Sequence, residues 1–140
     1  MKNPNYKYYQ PNRKDLKDKY GDCTVRALSK ALALSWLEAF ELTIPYCKAY
    51  QCTNIFDMPR AKVNEVMEAL GFEYTGVSNA KGSKRPTVAS FARSHKVGRY
   101  IVNTAGHEVA VVDGIYYDTW DSGFKSLYGY YYLKDSALNG

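Results

Sequence analysis

Cysteine, histidine and a carboxylate are the side chains that together turn a thiol on a carbonyl. The histidine takes the thiol proton, and the carboxylate holds the histidine's tautomer and ring orientation. Cys23, His107 and Asp118 are residues of these three types, each at a position suited to its task. Cys23 follows Gly21 and Asp22 at the head of GDCTVRALSKAL. Asp22 is an acceptable N-cap, so the spacing predicts a helix from that point with Val25, Leu28, Ala31 and Leu32 on its apolar face. The dipole of a helix favours a thiolate in its first turn. Cys23 is the only cysteine at such a predicted start, and Asp22 lines the site beside it.

The other two residues are placed by a turn. Asp113-Gly114, in HEVAVVDGIYYDTW, separates two β-rich runs and predicts a two-residue type I′ hairpin. That turn sets the register: Val112 pairs with Ile115, Val109 lies opposite Asp118, and His107 lies opposite Trp120. His107, Val109, Val111, Tyr116, Asp118 and Trp120 then share a face, with His107 and Asp118 as diagonal neighbours. Trp120 is placed to shield the pair from water, or simply to pack. Taken singly, each residue has a plainer explanation: a buried cysteine is a small hydrophobe, a histidine at a strand start is a surface residue, and Asp118 caps a turn. The residues by themselves leave both explanations open, and the coincidence of all three favours chemistry.

The elements that must position these groups follow from periodicity. Ser35 with Glu38 forms a capping box for a second helix from Trp36 to about Thr43, which Pro45 is expected to end or kink. The next stretch, YCKAYQCTNIF, reads as helix or loop. Pro59 suits the first turn of a third helix with Val63, Val66, Met67 and Leu70 inward and Gly71 as its stop. FEYTGV suggests a short strand, Thr87 caps a short helix over TVASFARSH, and RYIVNT, HEVAVV, IYYDTW and SLYGYYYL read as strands. Helices followed by an antiparallel meander make an α+β arrangement, a single domain over 1–140.

Composition bounds the rest. The chain of 140 residues is 46% hydrophobic, enough for a core without metal or disulfide. Three cysteines are an odd count for a disulfide framework. Cys47 and Cys52 lack the second pair of a zinc site and read as core or loop residues, so no metal or cofactor is expected. His95 is expected to end a helix, where a cation suits the dipole. The first twenty residues form a basic, tyrosine-containing arm, and the net charge is +5. Basic residues interleaved with aromatics can hold nucleic acid, but no nucleic-acid motif accompanies them. The arm is expected to be solvated and partly ordered, with no nucleic-acid partner. With no apolar run long enough for a membrane span and no apolar N-terminal segment, the expected compartment is the cytoplasm.

GDCTVRALSKAL together with GRYIVNTAGHEVAVVDGIYYDTWDS resembles small papain-like cysteine peptidase-fold proteins of the kind encoded by bacteriophages and bacteria. Their pattern joins a DC-x-x-RAL opening to a late GH…DG…YD-x-W segment, and the likeness spans Gly21 to Ser122. It implies N-terminal helices packed on a C-terminal antiparallel sheet. It also implies Cys23 as nucleophile, His107 as base, Asp118 as third member, and a peptide, isopeptide or related amide as the bond cleaved. Arg26 matches the arginine of the pattern and is expected to pair with an acidic neighbour. Where papain-like enzymes place a glutamine ahead of the cysteine to donate to the oxyanion, this chain has Lys17, and Gln10 lies too far upstream. The Cys23 amide with Lys17 or Asn12 is expected to take that role. The implied partners are a protein or peptide substrate and, on the alternative reading of a catalytically weak binding module on the same fold, a host protein. For a phage-encoded protein the compartment would be the host cytoplasm.

Overall fold

The computed structural model describes residues 3–12, 22–52, 55–77 and 84–134. The first helix, α1 (Cys23–Leu32), forms where its apolar spacing predicts, with Val25, Leu28 and Ala31 buried. Ala33, in the left-handed region at φ 57°, closes it. Helix α2 (Trp36–Tyr50) starts on the expected capping box, in which Ser35 accepts from the Glu38 amide at 3.1 Å and Glu38 accepts from the Ser35 amide at 2.9 Å.

Of the two outcomes expected at Pro45, an end or a kink, the end does not occur: the helix runs on to Tyr50 with the proline inside it, so the start of YCKAYQCTNIF is helix. Pro45 and Glu41 both lie on the exposed side, so the carbonyl that Pro45 cannot serve faces water. A short 3-10 turn (Ile55–Asp57) leads to α3 (Arg60–Ala69), which buries Val63, Val66 and Met67. Gly71 at φ 103° turns the chain into β2 (Phe72–Gly76). Helix α4 (Val88–Ser94) carries a second capping box, between Thr87 and Ser90. The remaining strands are β3 (Arg99–Thr104), β4 (His107–Val112), β5 (Ile115–Asp118) and β6 (Gly129–Leu133).

The sheet has six strands in the order β1-β5-β4-β3-β6-β2, with β1 at Tyr6–Tyr8. The architecture is α+β, as predicted, but the sheet is mixed. The described part of the basic arm, expected to be solvated and partly ordered, supplies β1, with Lys7 and Tyr8 exposed, and pairs in parallel with β5: Tyr6 with Tyr116 and Tyr8 with Asp118. An edge strand left open would present unpaired amides and carbonyls. Here Asn5 Nδ2 donates to the Gly114 carbonyl at 2.9 Å and the Tyr9 amide to that of Asp118 at 2.8 Å. The late strands are also not a simple meander, because β6 returns to pair with β3 and lies between β3 and β2.

The two faces of the sheet carry different helices. Helices α1, α2 and α3 pack against Ile101, Ala110, Tyr131 and Leu133. Helix α4 covers Val102, Val109, Val111 and Tyr116. Val109, Val111 and Tyr116 thus share a face, as the Asp113-Gly114 turn requires. Val112 pairs with Ile115 and Val111 with Tyr116, and Asp113 and Gly114 sit at φ 49° and 85°, as a type I′ turn demands. Among the described residues no helix is long and apolar enough to cross a membrane.

Candidate active site

His107 is the first residue of β4 and Asp118 the last of β5, so the hairpin delivers both to one end of the sheet. His107 Nε2 and Asp118 Oδ2 are 2.6 Å apart. The carboxylate is held on every side. Ser122 Oγ donates to Oδ2 at 2.6 Å and the Thr119 amide to Oδ1 at 2.8 Å. Arg26 Nη2, from α1, stands 3.5 Å from Oδ1. The Asp118 carbonyl is fixed in turn by the Tyr6 hydroxyl at 3.2 Å, so the N-terminal arm orients this residue from the sheet edge. With Nε2 engaged, the hydrogen-bond pattern assigns the proton of the neutral ring to Nε2 and leaves Nδ1 as the basic nitrogen. The ring of Trp120 lies 5.3 Å from that of His107, beyond the end of β5 and 42% exposed.

Cys23 reaches the same end of the sheet because α1 packs on β4. The residue after it, Thr24, donates to Glu108 Oε1 at 2.5 Å, and Glu108 is the residue after His107. The first turn of α1 is thereby fastened to the first residues of β4. The thiol is buried and its pKa is pushed up to about 11, first by loss of solvent and then by the Glu108 charge. The Glu108 amide, Arg26 and Thr24 act in the opposite direction without reversing it. The thiol is therefore protonated at neutral pH. Among the described residues no hydrogen bond joins it to the His107 ring.

Asp22 occupies the N-cap position of α1, but its side chain does not cap the helix. Its carboxylate is turned instead into a buried cluster. It pairs with Arg26, accepts from Asn12 Nδ2 at 2.8 Å, and accepts from Trp36 Nε1 at 3.1 Å. An arginine four residues on competes for the carboxylate more strongly than the helix amides do. Arg26 thus bridges Asp22, next to the cysteine, and Asp118, next to the histidine. Asn12 is brought to the start of α1, with its Oδ1 buried and unpartnered among the described residues. Lys17 lies outside the described residues.

Glu108 is the participant that sequence reasoning missed. Its carboxylate also meets Arg60 Nη1 at 3.0 Å. Arg60 in turn donates to the Tyr131 hydroxyl at 2.7 Å and to Asn103 Oδ1 at 2.9 Å. A signal was present: in HEVAVV the alternation puts Glu108 on the same face as Ala110, and a lone charge on a core-facing set needs partners. Of the other residues singled out, His95 stands at the C-terminal end of α4 with its ring 3.7 Å from that of Phe91, and Cys47 is packed in the core. Among the described residues no group of three histidine, cysteine, aspartate or glutamate side chains is placed to hold a metal ion. No protein-family model, no curated protein and no solved structure matches the chain.

Proposed function

We propose that the protein is a papain-like cysteine peptidase or related amide hydrolase, with Cys23 as nucleophile, His107 as general base and Asp118 as the group that orients His107. The observation that carries this reading is the 2.6 Å contact between His107 Nε2 and a buried, fully engaged Asp118, at the sheet end to which Thr24 and Glu108 fasten the cysteine's helix. In this scheme His107 Nδ1 removes the Cys23 proton as sulfur attacks the amide carbon, because the resting thiol is protonated. The imidazolium then protonates the leaving amine, a thioester forms, and water hydrolyses it with His107 again acting as base. The oxyanion would be met by the Cys23 amide and by Asn12 Nδ2, whose second hydrogen is not used by Asp22.

The test is a dipeptide-linked epoxide probe at neutral pH, with the adduct located by peptide mass spectrometry. Cys23 should be modified about a hundredfold faster than Cys47 or Cys52, and His107→Ala should remove that advantage. Equal modification of the three cysteines would refute the assignment. A second reading is favoured by one observation, the burial and raised pKa of the thiol. On it the fold serves as a binding module, a host-factor binder if the protein is phage-encoded, and Cys23→Ser leaves the biological effect intact.

A further inference from the structure

Next to the end of the sheet that carries His107 lies a cleft of about 390 Å³, lined by Arg85, Ala105, Phe124, Lys125, Ser126 and Tyr128. Ala105 belongs to the turn that immediately precedes β4, two residues from His107. Phe124 is 72% exposed, and its ring lies 6.0 Å from that of Trp120, which is itself beside His107. A continuous row of rings thus leads from the histidine to the cleft. Large apolar side chains left at the surface in one patch mark a contact site.

The charge of the cleft is one-sided. The Arg85 guanidinium lies over the Tyr128 ring at 4.7 Å, and its Nε is buried without a partner among the described residues. Among the described residues neither Arg85 nor Lys125 is in an ion pair and no acid lines the cleft. The nearest carboxylate in that segment, Asp121, is taken up by the Tyr116 hydroxyl and by the Gly123 amide at 3.0 Å. Rings that take apolar side chains are therefore paired with cations that have no carboxylate of their own among the described residues. A net charge of +5 adds attraction at longer range.

We propose that this cleft holds an acidic segment of the substrate, with carboxylates on Arg85 and Lys125 and an apolar side chain against Phe124 and Tyr128. The inference deepens the peptidase reading and rests on it for the word substrate, but binding at the cleft is measurable without turnover.

The experiment uses the full chain and three fluorescein-labelled octapeptides, alternating Leu with Glu, with Gln or with Lys, read by fluorescence anisotropy. The Glu peptide should bind about tenfold tighter than the Gln peptide, and the Lys peptide weakest. The paired substitution Arg85→Glu and Lys125→Glu should reverse that order, and Phe124→Ala should weaken the Glu and Gln peptides alike. Thermal melts of each variant check that these surface changes leave the fold intact. The Cys23→Ala protein should show the same preference, so a lost hydrolase activity and a lost charge preference are separate results. Equal binding of the Glu and Gln peptides would overturn the inference. So would retention of the Glu preference after both charge reversals. Tighter binding of a single-stranded oligonucleotide that displaces the Glu peptide would overturn it too, by making the cleft a phosphate site with steep salt dependence.

Discussion

Cys23 and Cys47 are alike in exposure and in the direction and size of their pKa shift. Each is 6% exposed, and each has its pKa pushed up to about 11, chiefly by burial. They differ in what surrounds them. Cys47 lies near the end of α2, against the core, with Cys52 and Thr43 as its polar neighbours. Cys23 begins α1, meets the Glu108 backbone, feels the charges of Glu108 and Arg26, and lies against the strand that starts with His107. Ionisation therefore does not mark a nucleophile in this molecule. On the proposed reading Cys23 reacts because α1 is fastened to the strand that carries His107, and Cys47, which has no such neighbour, is the internal control.

The largest expected contrast is between their alanine variants. Cys23→Ala should lower amide hydrolysis by at least about 10³-fold. Cys47→Ala should leave it unchanged while costing about 1 kcal/mol in denaturant unfolding, for the lost core packing. Hydrolysis surviving in Cys23→Ala would end the comparison. The two thiols should also share a pH signature. A raised pKa favours the protonated form in the folded chain, so its contribution to stability is whole below the ordinary thiol value of 9.0 and lost as pH rises toward about 11. Each alanine variant should flatten part of that loss in unfolding measured across this window.

Next in size is Asp118→Asn. It keeps the shape of the side chain but removes the charge that His107, Ser122 and Arg26 address, and kcat should fall by about 10²- to 10⁴-fold with KM little changed. An effect on KM alone would make Asp118 a substrate contact. Glu108→Gln should act on Cys23 and not on Cys47. Removing the carboxylate takes away a charge that raises the Cys23 pKa, so its iodoacetamide alkylation curve should move to lower pH while that of Cys47 stays in place. Stability should fall by about 1–2 kcal/mol, a modest figure because the Arg60 side chain is 40% exposed and screened. Parallel movement of both curves would show a general loosening instead.

How far these relations could be read from the chain depends on their range in sequence. The Asp113-Gly114 turn sets the hairpin register locally, and with it the approach of His107 to Asp118. The face of α1 was equally legible from its spacing. The Glu108 cluster was not, because Arg60, Asn103 and Tyr131 come from α3, β3 and β6, and only the sheet order brings them together. The seat of the arm's ordered part was not legible for a related reason: nothing within YKY shows that the edge of β5 will be free to receive it. Asp22 has the residue type of a cap and the position of a cap. Its carboxylate is claimed by Arg26, Asn12 and Trp36, and only the first of these lies within a helical turn.

The smallest effect should come from Trp120. Its ring lies tilted 5.3 Å from the His107 ring but is 42% exposed and belongs to no strand, so Trp120→Ala should change unfolding by no more than about 0.5 kcal/mol. Its part in catalysis would be dielectric. A ring beside His107 would hinder water from competing for the bond to Asp118, and partial exclusion of water would strengthen that bond only in part. A fall in kcat of a few-fold, with KM unchanged, is the expected result in steady-state kinetics. A fall as large as that of Asp118→Asn would mean that the ring fixes the histidine's orientation and the carboxylate alone does not. A rise in KM without loss of kcat would place Trp120 among the rings that meet the substrate, continuous with Phe124.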